Sequence, residues 1–90
     1  MALRFAKSAG RHGIGRERAR YVVERCIDPV YSAEPGDEDL VIFLGPDANG
    51  VPLEIGAVEL ADGDLLAIHV MRLRRKHLDS YRRVTRWDEA

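Results

Sequence analysis

The chain holds a single cysteine, Cys26, so no internal disulfide can staple it, and a reducing, cytoplasmic setting is expected. No apolar run approaches the ~18 residues that a membrane-spanning helix requires. The opening MALRFAKSAGRHG carries basic residues with no uninterrupted apolar stretch behind them, so no secretory leader is expected. Aromatic residues make up only 7% of the chain, too few for a base-stacking platform. Metal-ligand spacing is missing as well. Cys26, His12, His69 and His77 contain no pair at a zinc-binding interval, and neither a metal nor a cofactor is expected. The glycines of GPDANG form a hairpin string rather than a phosphate-cradling loop, and no serine sits in a nucleophile-elbow context.

The most informative scarcity is of one charge sign. Residues 27–66 contain ten acidic residues and no lysine or arginine. Residues 1–26 carry seven bases against two acids, and residues 67–90 carry seven bases against three, so the net charge of −1 hides a sharp partition. Such segregation either gives one basic and one acidic face or is cancelled by pairing of the termini with the middle. A basic face attracts phosphates, and an acidic one receives a basic partner.

At 90 residues, 46% hydrophobic and 32% charged, the chain fits one globular domain over 1–90, with an ordered core of about 4–86. Leu3 and Phe5 read as a strand start leading into a short helix that ends before Gly13. A second helix is predicted over Arg16 to Cys26, with Ala19, Val22, Val23 and Cys26 on one stripe. Asp28-Pro29 stops it. Three strands follow, at 39–44, 53–60 and 65–72, with hairpin turns at Asn49-Gly50 and Asp62-Gly63. On the last strand, alternation puts Leu66, Ile68, Val70 and Arg72 on one face and Leu65, Ala67, His69 and Met71 on the other. The set 66/68/70 reads as the core side, leaving His69 towards the open face. From about Leu73 the period is helical, with Leu78, Tyr81 and Val84 inward, Arg86 on the outer surface, Trp87 packing the helix end and residues 88–90 frayed. The expected fold is α+β, with two N-terminal helices, a three- or four-stranded antiparallel meander and a C-terminal helix.

Cleaving RNA without a metal requires a base for the 2′-hydroxyl, cations for the phosphoryl charge and an acid for the leaving 5′-oxygen. Arg72, Arg74, Arg75 and Lys76 crowd the junction between the last strand and the final helix, where the alternatives are a phosphate site and a solvated surface. Arg72 and Arg74 are the candidate phosphate ligands, with Arg75 and Lys76 assisting. Proton transfer falls to His69 or His12, and less readily to Tyr81. Each has a structural alternative: a hydrogen-bonded sheet residue for His69, a helix-end residue for His12 and a core residue for Tyr81.

The strings RHGI at 11–14, the Asp28-Pro29 stop and HVMRLRRKHLDSY at 69–81 resemble the BrnT toxins of the RelE/ParE-like superfamily of toxin–antitoxin ribonucleases. In that family a K/R-H-G-I/V string precedes a helix and a D-P, and the last strand ends in an arginine, here Arg72, before a basic, tyrosine-containing helix. The resemblance spans about residues 5–84, although the middle matches by strand order alone and is more acidic than the family. It implies a RelE/ParE-like fold and a metal-independent endoribonuclease in which Arg72 takes the family's arginine position; with His69 or His12 as the proton-transfer group from the chemistry above, the candidate catalytic residues are His69, Arg72 and His12. It also implies a cognate antitoxin, of ribbon-helix-helix type, that covers the basic groove, with DNA contacted only through the complex. The alternative is a non-catalytic module of the same fold whose acidic sheet surface holds a basic protein partner.

Overall fold

A computed structural model describes residues 2–32, 34–37 and 39–85. The chain is an α+β domain built on one five-stranded sheet. Strand β1 (Leu3–Phe5) leads through a 3-10 turn (Lys7–Gly10) to helix α1 (Arg16–Arg25). Strands β2 (Val30–Tyr31), β3 (Leu40–Pro46), β4 (Pro52–Glu59) and β5 (Leu65–Arg72) follow, then a 3-10 turn (Arg75–His77) and helix α2 (Leu78–Thr85). The sheet order is β1-β5-β4-β3-β2. The places expected for Arg86, Trp87 and the frayed end lie outside the described residues.

Short hairpins make β3, β4 and β5 consecutive antiparallel neighbours. Gly50 and Gly63 supply the positive φ that each turn demands, at 83° and 89°. The first turn is also tied to α1 through Asp47, whose side chain is 1% exposed. Its Oδ1 accepts from the Asn49 and Val51 amides, both at 2.9 Å, and its Oδ2 accepts from Arg18 Nε at 2.8 Å. The Val51 amide is the largest influence on the Asp47 carboxyl, and with Arg18 it holds the pKa below the ordinary value against the opposing effect of burial.

The expected layout needs two corrections. The meander is extended to a mixed sheet, because β1 pairs in parallel with β5 (Leu3 with Leu65, Phe5 with Ala67) and β2 pairs antiparallel with β3. Only one N-terminal α-helix exists among the described residues; the segment before Gly13 closes a single 3-10 turn. Too short to bury an apolar stripe, that turn instead anchors to β5 by a bond from Ser8 Oγ to the Ile68 carbonyl, 2.8 Å.

Each sheet face carries its own core. The α1 stripe (Ala19, Val22) packs with Phe43, Leu53, Ile55, Ala57, Leu65, Ala67 and Val70, and Val23 and Cys26 lie partly buried against this cluster. On the other face Leu40, Ile42, Leu44 and Val84 form the second cluster, flanked by Val58, Ile68, Leu73 and Tyr81. A β-bulge decides which β5 residues go where. Gly56 pairs with His69 but Ala57 pairs with Ala67, so Ile68 is the extra residue. Strict alternation therefore fails: Leu65, Ala67 and Val70 face α1, whereas Ile68 joins the α2 side. The core face is not 66/68/70.

Candidate active site

The α2 face of the sheet holds a buried carboxylate. Glu54 alternates with Leu53 and Ile55, so it projects away from the α1 core, yet its side chain is 0% exposed. A buried carboxylate is tolerated only when charge and hydrogen bonds compensate it. Arg74 supplies both. Its backbone amide donates to Glu54 Oε1 at 2.7 Å, its Nε bridges both oxygens at 3.2 and 3.1 Å, and its Nη2 reaches Oε2 at 2.7 Å. Nη1 makes no hydrogen bond among the described residues, and the side chain remains 40% exposed.

Two imidazoles complete the cluster. His69 Nε2 and His77 Nε2 each lie 3.5 Å from the same oxygen, Glu54 Oε2. Both nitrogens are buried and too poorly aligned to count as hydrogen-bonded, so these are close charge–dipole contacts that a small movement would convert into hydrogen bonds. Once such a bond forms, the neutral ring carries its proton on Nε2 and leaves Nδ1 as the basic atom. Burial pushes the Glu54 pKa up, but contact with His69 and the bonds from Arg74 outweigh it and hold the group at about 2. Burial is likewise the main influence on His77, pushing its pKa down despite the attraction of Glu54.

The groups are positioned by local features of the chain. His69 follows the bulge, which turns it to the Glu54 side, and its ring lies flat against Gly56 across the β4–β5 pair. A Cβ built at Gly56 would stand 2.5 Å from His69 Cε1 and 2.8 Å from Nδ1, so only glycine admits the ring. His77 ends the 3-10 turn that leads into α2, and the tighter winding of that turn brings it back over the sheet. Replacing Gly56→Ala is expected to expel the imidazole of His69 from Glu54 while the sheet stays intact. The check is the His69 ring resonances in a 1H–13C spectrum, which should shift while the amide signals of β3 hold; unchanged ring signals would contradict the packing described.

Above the cluster opens a pocket of about 480 Å3, lined by His69, Arg74, Lys76, His77, Tyr31 and Glu34 among others. Lys76 Nζ pairs with Glu34 at 3.3 Å, an exposed contact that is readily exchanged.

Of the residues expected to form a site, His69, Arg74 and Lys76 are brought together. The others are not. Arg72 stands opposite Leu53 on the α1 face and, with exposed His12, lines a separate shallow groove beside Ile14 and Met71. Arg75 is exposed and lines neither hollow. The expected convergence of arginines on one pocket is therefore replaced by one arginine, Arg74, already engaged by Glu54. Tyr81 packs against the second core, and burial raises its pKa. Glu54 and His77 are the participants that sequence reasoning missed. Among the described residues, no group of three or more His, Cys, Asp and Glu side chains is arranged to hold a metal ion, and no helix is long and apolar enough to cross a membrane.

Comparison with known proteins returns no matching family model, no matching curated protein and no matching solved structure.

Proposed function

We propose that the protein is a metal-independent endoribonuclease working from the Glu54 pocket, and that it acts in the cytoplasm as the toxin of a toxin–antitoxin pair. The observation that carries the enzymatic reading is the approach of two imidazoles to one buried carboxylate beside a cation, at the floor of an open pocket. Such a pair supplies both proton transfers of RNA transesterification. His77, held towards its neutral form by burial, takes the 2′-hydroxyl proton at Nδ1, and the 2′-oxygen attacks phosphorus. His69, as the imidazolium, gives a proton to the departing 5′-oxygen, leaving a 2′,3′-cyclic phosphate and a 5′-hydroxyl. Glu54 orients both rings and favours whichever is charged. The unengaged Nη1 edge of Arg74 and the exposed ammonium of Lys76, exchanged from Glu34, receive the phosphoryl oxygens.

The toxin assignment, the RelE/ParE-like relationship and a ribbon-helix-helix antitoxin rest on the resemblance at 11–14, 28–29 and 69–81. The structure itself bears only on the fold class, which is α+β.

The test is incubation of the purified protein, free of any antitoxin, with single-stranded RNA in EDTA, followed by analysis of the new ends. Products bearing 2′,3′-cyclic phosphate are expected. Intact RNA, or ends of another kind, rejects the proposal.

A further inference from the structure

Half of the acidic middle segment is neutralised in space by the basic termini. Arg4 pairs with Asp62 and Asp64 at 3.5 and 3.6 Å, Arg18 with Asp47, Arg74 with Glu54 and Lys76 with Glu34. Asp28, Asp37, Asp39 and Glu59 make no ion pair among the described residues. Two of these four, Asp39 and Glu59, line a single hollow of about 520 Å3, and Asp28 adjoins it in sequence at Pro29. Both lining carboxylates are exposed.

The hollow lies on the α1 face of the sheet, beyond the cover of the helix, and so on the opposite side from Glu54. Register places its members together: Tyr31 stands beside Val41 on the β2–β3 pair, and Phe43 is two residues further along the same face. Its floor is apolar, formed by Val41, Phe43, Pro29 and Leu65. Tyr31 forms one wall while 71% exposed, an unusual setting for a large side chain over apolar neighbours.

We infer that this hollow is a docking groove for a partner protein's segment that carries an apolar side chain flanked by lysine or arginine. The apolar residue would cover Val41 and Phe43 against the Tyr31 ring, and its basic neighbours would meet Asp39 and Glu59. Charge complementarity selects this occupant. RNA is repelled by the same carboxylates, and a second copy would have to present a basic, apolar segment to this acidic rim. The inference is independent of the ribonuclease reading, because the groove and the Glu54 pocket share only Tyr31.

The experiment titrates the full chain, labelled with 15N, with the peptide acetyl-Lys-Arg-Leu-Arg-Lys-amide. A glycine-centred version and a charge-inverted acidic version serve as comparison probes. Saturable shifts confined to the amides around Tyr31, Val41 and Phe43 are expected, with affinity about tenfold weaker in the Asp39→Asn, Glu59→Gln double variant and about tenfold weaker for the glycine peptide. Whatever RNA cleavage the unaltered protein shows, the double variant should retain. Equal binding of the three peptides, indifference to the double variant, or shifts centred on His69 and His77 would overturn the inference. So would a concentration-dependent dimer, seen by sedimentation, that Tyr31→Ala abolishes.

Discussion

Replacing Glu54→Leu should destabilise the domain by about 2–4 kcal/mol in urea unfolding, the largest stability loss expected of any single polar substitution here. The substitution removes the acceptor of four hydrogen bonds from Arg74, one of them from its backbone amide. Breaking a buried ion pair from one side typically costs ~3–5 kcal/mol; the lower figure applies because Arg74, 40% exposed, can turn its guanidinium into water. Its amide cannot escape in the same way. The double substitution Glu54→Leu, Arg74→Leu should therefore cost less than Glu54→Leu alone, since no charge is then left without its partner. A double variant no more stable than the single one would show that the carboxylate is held by something other than Arg74.

The same pair gives the domain an acid-sensitive stability. In the folded state Glu54 titrates at about 2, against 4.5 for the unexposed-to-charge reference of the unfolded chain. As pH falls through 4.5 the unfolded state takes up the proton first, so the contribution is complete above that value and is lost progressively towards about 2. A shift of this size corresponds to about 3 kcal/mol. His77 adds to the slope at higher pH: burial depresses its folded pKa below 6.5, so protonation again favours the unfolded chain as pH drops through that value. Urea midpoints of the Glu54→Gln variant should accordingly be flatter than those of the unaltered protein between pH 4.5 and 2.

Much of this architecture is legible in the residues because its signals are local. The α1 stripe of Ala19 and Val22 and the glycines at 50 and 63 need no knowledge of distant partners. The missed features are non-local or depend on one extra residue. Strand β1 has only three residues and owes its existence to parallel pairing with a segment about sixty positions away. The bulge at Ile68 inverts the apparent phase of β5, and no alternation rule announces it. Glu54 reads as a solvent-facing strand residue until Arg74 and the two imidazoles close over it. His77, inside a basic run, reads as surface until the 3-10 turn rotates it inward. One clue is present in the residues themselves: Gly56 interrupts strand β4 two positions from Glu54, the mark of a close approach, here by the ring of His69.

If the Glu54 pocket is where RNA is cleaved, kcat/KM should fall about 100- to 10,000-fold in His77→Ala and in His69→Ala, the range lost with a general base or acid. Arg72→Ala and His12→Ala, altered at the separate groove, should stay within about threefold, the scale of one exposed charge contact. The pH profile then distinguishes a proton-transfer role from a merely structural one. Because burial lowers the His77 pKa, the neutral base persists below pH 6.5, and the acid limb of kcat/KM should lie under that value. In His77→Ala that limb should vanish, whereas a residue that only packs the fold would leave it in place. Circular dichroism of each variant shows whether the fold survives, and both rings are only partly buried, so neither truncation empties a core. Should Arg72→Ala and His12→Ala instead abolish cleavage while the two pocket histidines prove dispensable, the chemistry belongs to the α1 face. The carboxylate at Glu54 would then be a device for joining the last strand to the final helix, its two imidazoles held there by packing alone.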